Sequence, residues 1–219
     1  MSAVGDIAGL QRRLGQCFAE FRQKEAALRE QWVSTENNRG GPTDLLERNT
    51  RRHLIDPLLV ALGWNPADPF EIAEEARGVS AGINRLYFDY LGLEPGSGYP
   101  TLLVEAKPLD ALPPHAVDSA PPSEPSDMAS LIACAIDALK ANRTPTQVTS
   151  QWSEWLKALR TYVVSLSDFA HTSFRRATIT TGSWIVVFED PVPTFTSSSQ
   201  TNSETIHCFV GFDRILRDY

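Results

Sequence analysis

The chain is predicted to fold as an α/β protein, a mixed β-sheet with helices on its faces. Four long segments carry apolar residues at helical spacing. Six shorter ones, rich in Val, Ile, Leu, Phe and Tyr, read as strands. The two kinds follow one another in the order helix, helix, three strands, helices, strands, which suits a sheet covered on both faces. The 219 residues, 42% hydrophobic and 21% charged, have the balance of an ordinary globular chain. They are enough for one large domain or two small ones.

From about Val4 to Trp32, Leu10, Leu14, Phe18, Phe21 and Leu28 fall near helical spacing. The run Asn37-Asn38-Arg39-Gly40-Gly41-Pro42 breaks this helix. Residues 1–40 are therefore taken as an N-terminal helical extension and 41–219 as the main domain. Thr43 or Asp44 can cap a second helix, whose stripe is Leu54, Ile55, Leu58, Leu59 and Leu62 and whose end is Gly63. Pro57 lies inside it, so a kink or a missing bond to the carbonyl of His53 is expected. Strands are expected at Pro69–Glu75, Arg85–Leu91 and Thr101–Lys107, with a turn over 92–100. The Pro-rich stretch 108–127 reads as a long surface loop or a disordered insertion. Helices at Met128–Ala141 and Gln151–Leu166 follow. A hairpin of Ala177–Thr181 and Trp184–Glu189 then turns around Gly182-Ser183. The Ser/Thr-rich stretch Thr194–Ser203 reads as a mobile loop and Ile206–Val210 as the last strand. Phe209 to Tyr219 reads as a strand running into a helix. No internal repeat is visible.

No run approaches the roughly 18 apolar residues of a membrane span, and the first residues lack the pattern of a signal peptide. A cytoplasmic protein is expected. Cys17, Cys134 and Cys208 are odd in number and far apart, which is neither a disulfide framework nor a zinc pattern; they are read as reduced, buried thiols. His53, His115, His171 and His207 show no metal-ligand spacing. The net charge of -7 opposes a free-standing, tight nucleic-acid binder, since phosphate neutralisation drives such binding. Any action on nucleic acid would need partner domains or subunits.

The chemistry concentrates in the second and third strands. If their turn centres on Ser97, Asp89 and Glu105 lie eight residues to either side and face each other. Their Cβ atoms would be roughly 4.5–5.5 Å apart, and a one-residue slip would separate them onto opposite faces. Alternation puts Lys107 on the same face as Glu105. Two carboxylates so close repel, and burying them without a counter-ion is costly. A divalent cation with hard oxygen ligands would resolve the conflict, and Lys107 could orient water or stabilise phosphate charge. The bland alternative is a solvated sheet end with ordinary ion pairing. Glu47 lies within about 20° of Leu54 and Leu58 on a regular helix. It either fits an active site or snorkels past the core, and a pairing with Arg51 at i+4 is the simpler reading. Trp152, Trp155, Tyr162 and Trp184 are read as core aromatics.

The run Glu47 to Trp64 with its Leu62-Gly63-Trp64 end, then Phe88-Asp89-Tyr90, then Leu103-Val104-Glu105-Ala106-Lys107, then Thr180-Thr181-Gly182 ahead of an aromatic strand, resembles the PD-(D/E)XK nuclease superfamily. It is most similar to the N-terminal nuclease domain of type I restriction enzyme motor subunits. The resemblance covers roughly Asp44 to Glu189. It implies a restriction-endonuclease-like fold, Asp89 and Glu105 holding Mg²⁺ (or Mn²⁺), Lys107 assisting the attacking water, and Glu47 as an auxiliary acid. Phe88 stands where the pattern has Pro, and Ala158 stands where the family often carries Gln four residues before the helix Tyr, here Tyr162. Lys157 or Arg160 could take over a phosphate contact, and Arg51 could join them. The implied function is a Mg²⁺-dependent DNA endonuclease of a restriction or anti-phage system, working with other domains or subunits. The alternatives are a catalytically inactive module of the same fold that binds nucleic acid or protein, and an assembly domain that forms homo-oligomers through its long N-terminal helix.

Overall fold

The computed structural model of the protein describes residues 7–34, 47–79, 85–169 and 174–211. The expected helix break at 37–42, the caps Thr43 and Asp44, and the C-terminal helix after Gly211 lie outside them. The helices are α1 (Ile7–Ser34), a helical run α2 (47–61), α3 (Pro125–Lys140), α4 (Ser150–Phe169) and the short α5 (Pro191–Thr196). The strands are β1 (Ile72–Val79), β2 (Arg85–Leu93), β3 (Pro100–Ala106), β4 (Arg176–Thr180), β5 (Trp184–Glu189) and β6 (Ile206–Val210). The first strand starts three residues later than expected, because Asp68 organises a turn that accepts the backbone N–H groups of Glu71 and Ile72.

The strands form one sheet in the order β1-β2-β3-β4-β5-β6. Neighbours are antiparallel except β3 and β4, which run parallel and are joined by the crossover carrying α3 and α4. Alternation along each strand supplies both cores. Leu103, Ala177, Ile179, Val186 and Phe188 face α3 and α4, where Ile132, Ile136, Trp152, Leu156, Leu159 and Val163 are buried. Val104 and Ala106 face the other way, with Tyr90, onto Ile55 and Leu59 of α2. Ile185 lies on that same side, against Leu54 and Leu58 and against Leu14, Phe18 and Phe21 of α1. The N-terminal helix is thus a cap on the core, and the molecule is a helix–sheet–helix sandwich. Among the described residues no helix is long and apolar enough to cross a membrane.

Pro57 shapes α2 as its missing N–H requires. The turn before it, Arg51–Ile55, is π-helical, and the N–H of Asp56 reaches back to the carbonyl of Arg51. Widening the helix here relieves the clash of the proline ring with the preceding turn. The 100° count that placed Glu47 on the stripe of Leu54 and Leu58 does not hold across this turn.

The loop reading of the Pro-rich stretch holds, and two other expectations, of a mobile loop at 194–203 and of three buried cysteines, are corrected. The Pro-rich stretch is an irregular loop but not a disordered one. The indole N–H groups of Trp152 and Trp184 donate to the carbonyls of Leu112 and Ala111, at 3.1 and 2.8 Å. The stretch Thr194–Ser203 begins inside α5, and its Thr201 is buried and bonds to Asp137 through both its backbone N–H and its hydroxyl. The Ser/Thr richness that reads as a loop serves here to tie the chain to α3. Cys17 and Cys208 are buried, and burial pushes their thiols up to about 11 and about 12, whereas Cys134 is exposed.

The β4–β5 turn has no room for a side chain. Gly182 has φ +84°, and a Cβ there would lie 2.3 Å from Cδ2 of Leu54. Thr180 Oγ1 fixes the turn by accepting the N–H of Gly182 and donating to the carbonyl of Trp184, both at 2.7 Å. Gly182→Ala should therefore cost about 2–4 kcal/mol from overpacking and backbone strain together. In a Leu54→Ala background the same change should cost less, because the clashing atoms are gone. Thermal melts of the four proteins check this, and an additive pair would contradict it.

Candidate functional site

The pairing of β2 with β3 couples Tyr90 to Val104, Leu91 to Leu103 and Gly92 to Leu102. Each pair is symmetric about Ser97, the register that sets Asp89 beside Glu105. The ladder then stops. Beyond Tyr90, the N–H of Ala106 donates to the carboxylate of Asp89 at 2.8 Å. The next N–H, of Lys107, turns to the carbonyl of Thr180 at 2.8 Å, so β3 follows β4. Meanwhile β2 stays with β1, pairing Phe88 with Ala76. The two strands therefore fork at the carboxylates. Side-chain alternation also breaks across Asp89. Phe88 packs edge-on against Tyr162 of α4, with ring centroids 5.0 Å apart, while Tyr90 packs on the α2 side. Asp89 thus sits where elements of both faces can reach it.

Glu105 lies on the α4 side of the fork. Lys107 Nζ donates to its Oε1 at 2.8 Å, and both side chains are nine-tenths buried. The ammonium also lies 5.4 Å from the ring centre of Trp155 on α4, a cation–π contact. The other oxygen, Oε2, is buried and has no hydrogen-bond partner among the described residues. Burial pushes the Glu105 carboxyl up to about 7; Lys107 opposes this, and the negative charges of Asp89 and Glu47 add to it. Burial, with the charges of Glu105 and Asp89, also pushes the Tyr162 hydroxyl up to about 12.

On the α2 side, Arg51 Nη1 approaches Asp89 Oδ1 at 3.5 Å, the outer limit of a hydrogen bond. Its Nη2 is 4.0 Å from Glu74, and the guanidinium lies over the ring of Tyr90 at 5.1 Å. The Tyr90 hydroxyl donates to Asp56, where α2 leaves its π turn. Burial raises the Asp56 carboxyl above the usual range, and the bond from Tyr90 and the charge of Arg51 hold it back. A cleft of about 640 Å³ opens here, lined by Glu47, Arg48, Arg51, Arg52, Asp56, Glu74 and Tyr90.

The fold therefore brings Asp89, Glu105 and Lys107 together at the fork, with Tyr162 close by and Glu47 near enough to act on Glu105 electrostatically. It does not bring Lys157 or Arg160 to the same place. Lys157 is exposed, about 200° round α4 from Trp155. Arg160 donates to the carbonyl of Leu139 at 2.8 Å, closing the end of α3. Arg51, expected to meet phosphate, is drawn inward to Asp89. Sequence reasoning missed Asp56 and Glu74. A π turn and a strand boundary hide them from helical and alternating counts.

Among the described residues, no three His, Cys, Asp or Glu side chains gather as a ready-made metal cage. One carboxylate oxygen at the fork nevertheless has spare capacity. Glu105 Oε2 is buried without a hydrogen-bond partner among the described residues, close enough to Asp89 for the two charges to act on each other. Hard oxygens of this kind suit a divalent cation such as Mg²⁺ or Mn²⁺ that keeps further positions for water and phosphate. No protein-family model, curated protein or solved structure matches the chain.

The raised carboxyl of Glu105 sets a pH dependence. Its ordinary value is 4.5, and the folded chain binds its proton more tightly than the unfolded chain does. That contribution to stability is complete below about 4.5 and is lost as the pH climbs to about 7. Across this window the wild type should lose stability relative to Glu105→Gln. Melting both proteins at a series of pH values checks it, and parallel curves would contradict it.

Proposed function

We propose that the chain is a divalent-metal-dependent endonuclease domain of restriction-endonuclease-like fold, which hydrolyses DNA phosphodiester bonds in a restriction or anti-phage system. The observation that carries this reading is the fork of β2 and β3. There a buried carboxylate with an orphaned oxygen meets a second carboxylate and an ammonium. The mixed sheet, and the ordered series of Glu47, Asp89, Glu105, Lys107 and the Thr180-Thr181-Gly182 turn, support it.

In this reading Asp89 and Glu105 hold Mg²⁺ or Mn²⁺. When bound, the cation supplies charge that stabilises the phosphoryl oxygens as the phosphorus is attacked and makes water easier to deprotonate. Lys107 is then no longer needed as the counter-charge of Glu105 and can donate to the incoming water or to a non-bridging phosphoryl oxygen. Water adds at phosphorus, one P–O bond breaks, and the leaving oxygen takes up a proton. Glu47 shapes the local field. Trp155 and Tyr162 wall the site on the α4 side and keep solvent from it. The net charge of -7 calls for partner domains or subunits to grip the duplex.

One observation favours a second reading, a catalytically inactive module of the same fold. Lys107 and Arg51 already compensate Glu105 and Asp89. A plasmid-nicking assay separates the two. With Mg²⁺ or Mn²⁺ the wild type should nick supercoiled DNA, while Asp89→Ala and Lys107→Ala should each slow nicking by at least about 100-fold. Equal nicking in all three would remove the assignment. A wild type that binds DNA but does not cut it with either metal would favour the inactive module.

A further inference from the structure

We infer that Arg48 and Arg52 of α2 form a phosphate-binding wall that leads a nucleic-acid backbone to the carboxylate fork. This rests on the nuclease reading and deepens it by placing the substrate path on α2, not on Lys157 and Arg160 of α4. Both arginines line the cleft that also holds Arg51 and Tyr90. A second cleft, of about 570 Å³, runs between α1 and α2 and shares Arg52, Asp56 and Glu74 with the first. The two adjoin through these residues as one trough, and Arg13 of α1 lines the second.

The arginines around this trough differ in what they do. Arg13 donates to the carbonyl of Ala61 at 3.1 Å. Arg51 reaches Asp89 and Glu74 and covers Tyr90. Arg48 and Arg52 are both exposed, and neither forms an ion pair or side-chain hydrogen bond among the described residues. In a chain of net charge -7, Arg52 acts on Asp56 through its charge, but neither guanidinium is occupied by an ion pair among the described residues. They are one helical turn apart, a spacing of roughly 5–6 Å between Cβ atoms. The guanidinium fork matches a phosphate in geometry as well as charge. The π turn contributes to the division of labour. It begins at Arg51, which lines the cleft with Arg48 and Arg52 but is the one of the three that reaches Asp89.

The test is binding, measured without divalent metal so that it is independent of cutting. Labelled duplex DNA, single-stranded DNA and single-stranded RNA are titrated with the full chain over a range of salt. The proteins are wild type, Arg48→Gln/Arg52→Gln, Arg48→Lys/Arg52→Lys and Lys157→Gln. Two lost phosphate contacts should flatten the plot of log affinity against log salt by about 1.8 on duplex, or about 1.4 on a single strand. The Gln pair should show that loss with a wild-type melt. The Lys pair should keep the slope because it keeps the charge, and Lys157→Gln should match wild type. The polymer that the wild type binds most tightly at a fixed salt concentration identifies the natural backbone. An unchanged slope in the Gln pair, an equal loss in Lys157→Gln, or no binding of any polymer by the wild type would each overturn the inference. If the slope falls as expected but the wild type never cuts, the wall stands and the nuclease reading fails. If it cuts with an unchanged slope, the reverse holds.

Discussion

A carboxylate taken out of water must be met by positive charge or keep its proton, and the buried Glu105 imposes that choice on everything around it. Lys107, two residues on along the same edge, answers one oxygen of Glu105 and leaves the other unmet. Asp89 adds repulsion. It is tolerated because its own charge is spread over the Ala106 N–H and Arg51. The parting of β2 from β3 follows from the same demand. A continuous ladder would leave no backbone N–H at Ala106 for a side chain to capture.

The two helical layers hold this arrangement from opposite sides. On one side α4 presents Trp155 to the ammonium and Tyr162 to Phe88. On the other α2 presents Arg51 to Asp89 and Asp56 to Tyr90. Neither layer could do this from a loop of its own. The positions are fixed by cores in which Ile132, Trp152, Leu156 and Leu159, or Leu14, Phe21 and Leu54, are almost wholly buried. The cost of the charged fork is thus met by packing elsewhere, a common arrangement where function requires local strain.

Much of this was legible in the residues. Alternation in Thr101–Lys107 and the symmetry about Ser97 placed Asp89, Glu105 and Lys107 on one patch, because strand geometry has a period of two that a sequence displays directly. Pro57 announced a disturbed helix, although not that the disturbance would be a π turn. That turn is why the inward reach of Arg51 and the meeting of Asp56 with Tyr90 were hidden, since a 100° count fails within it. The contacts of Arg160 with Leu139 and of Thr201 with Asp137 join segments far apart in the chain, so only the assembled layers reveal them. The break in alternation at Asp89 was hidden for a related reason. It arises from competition between β1 and β3 for the same strand.

The central claim is that the two carboxylates at the fork together make the seat of a divalent cation. Diffraction from crystals soaked in Mn²⁺, read through the anomalous signal, addresses it directly. If the carboxylates form that seat, a peak should lie between the Asp89 carboxylate and Oε2 of Glu105, with the ammonium of Lys107 drawn off Oε1. A fork without a peak, Lys107 still closed on Glu105 and Arg51 still on Asp89, would contradict it.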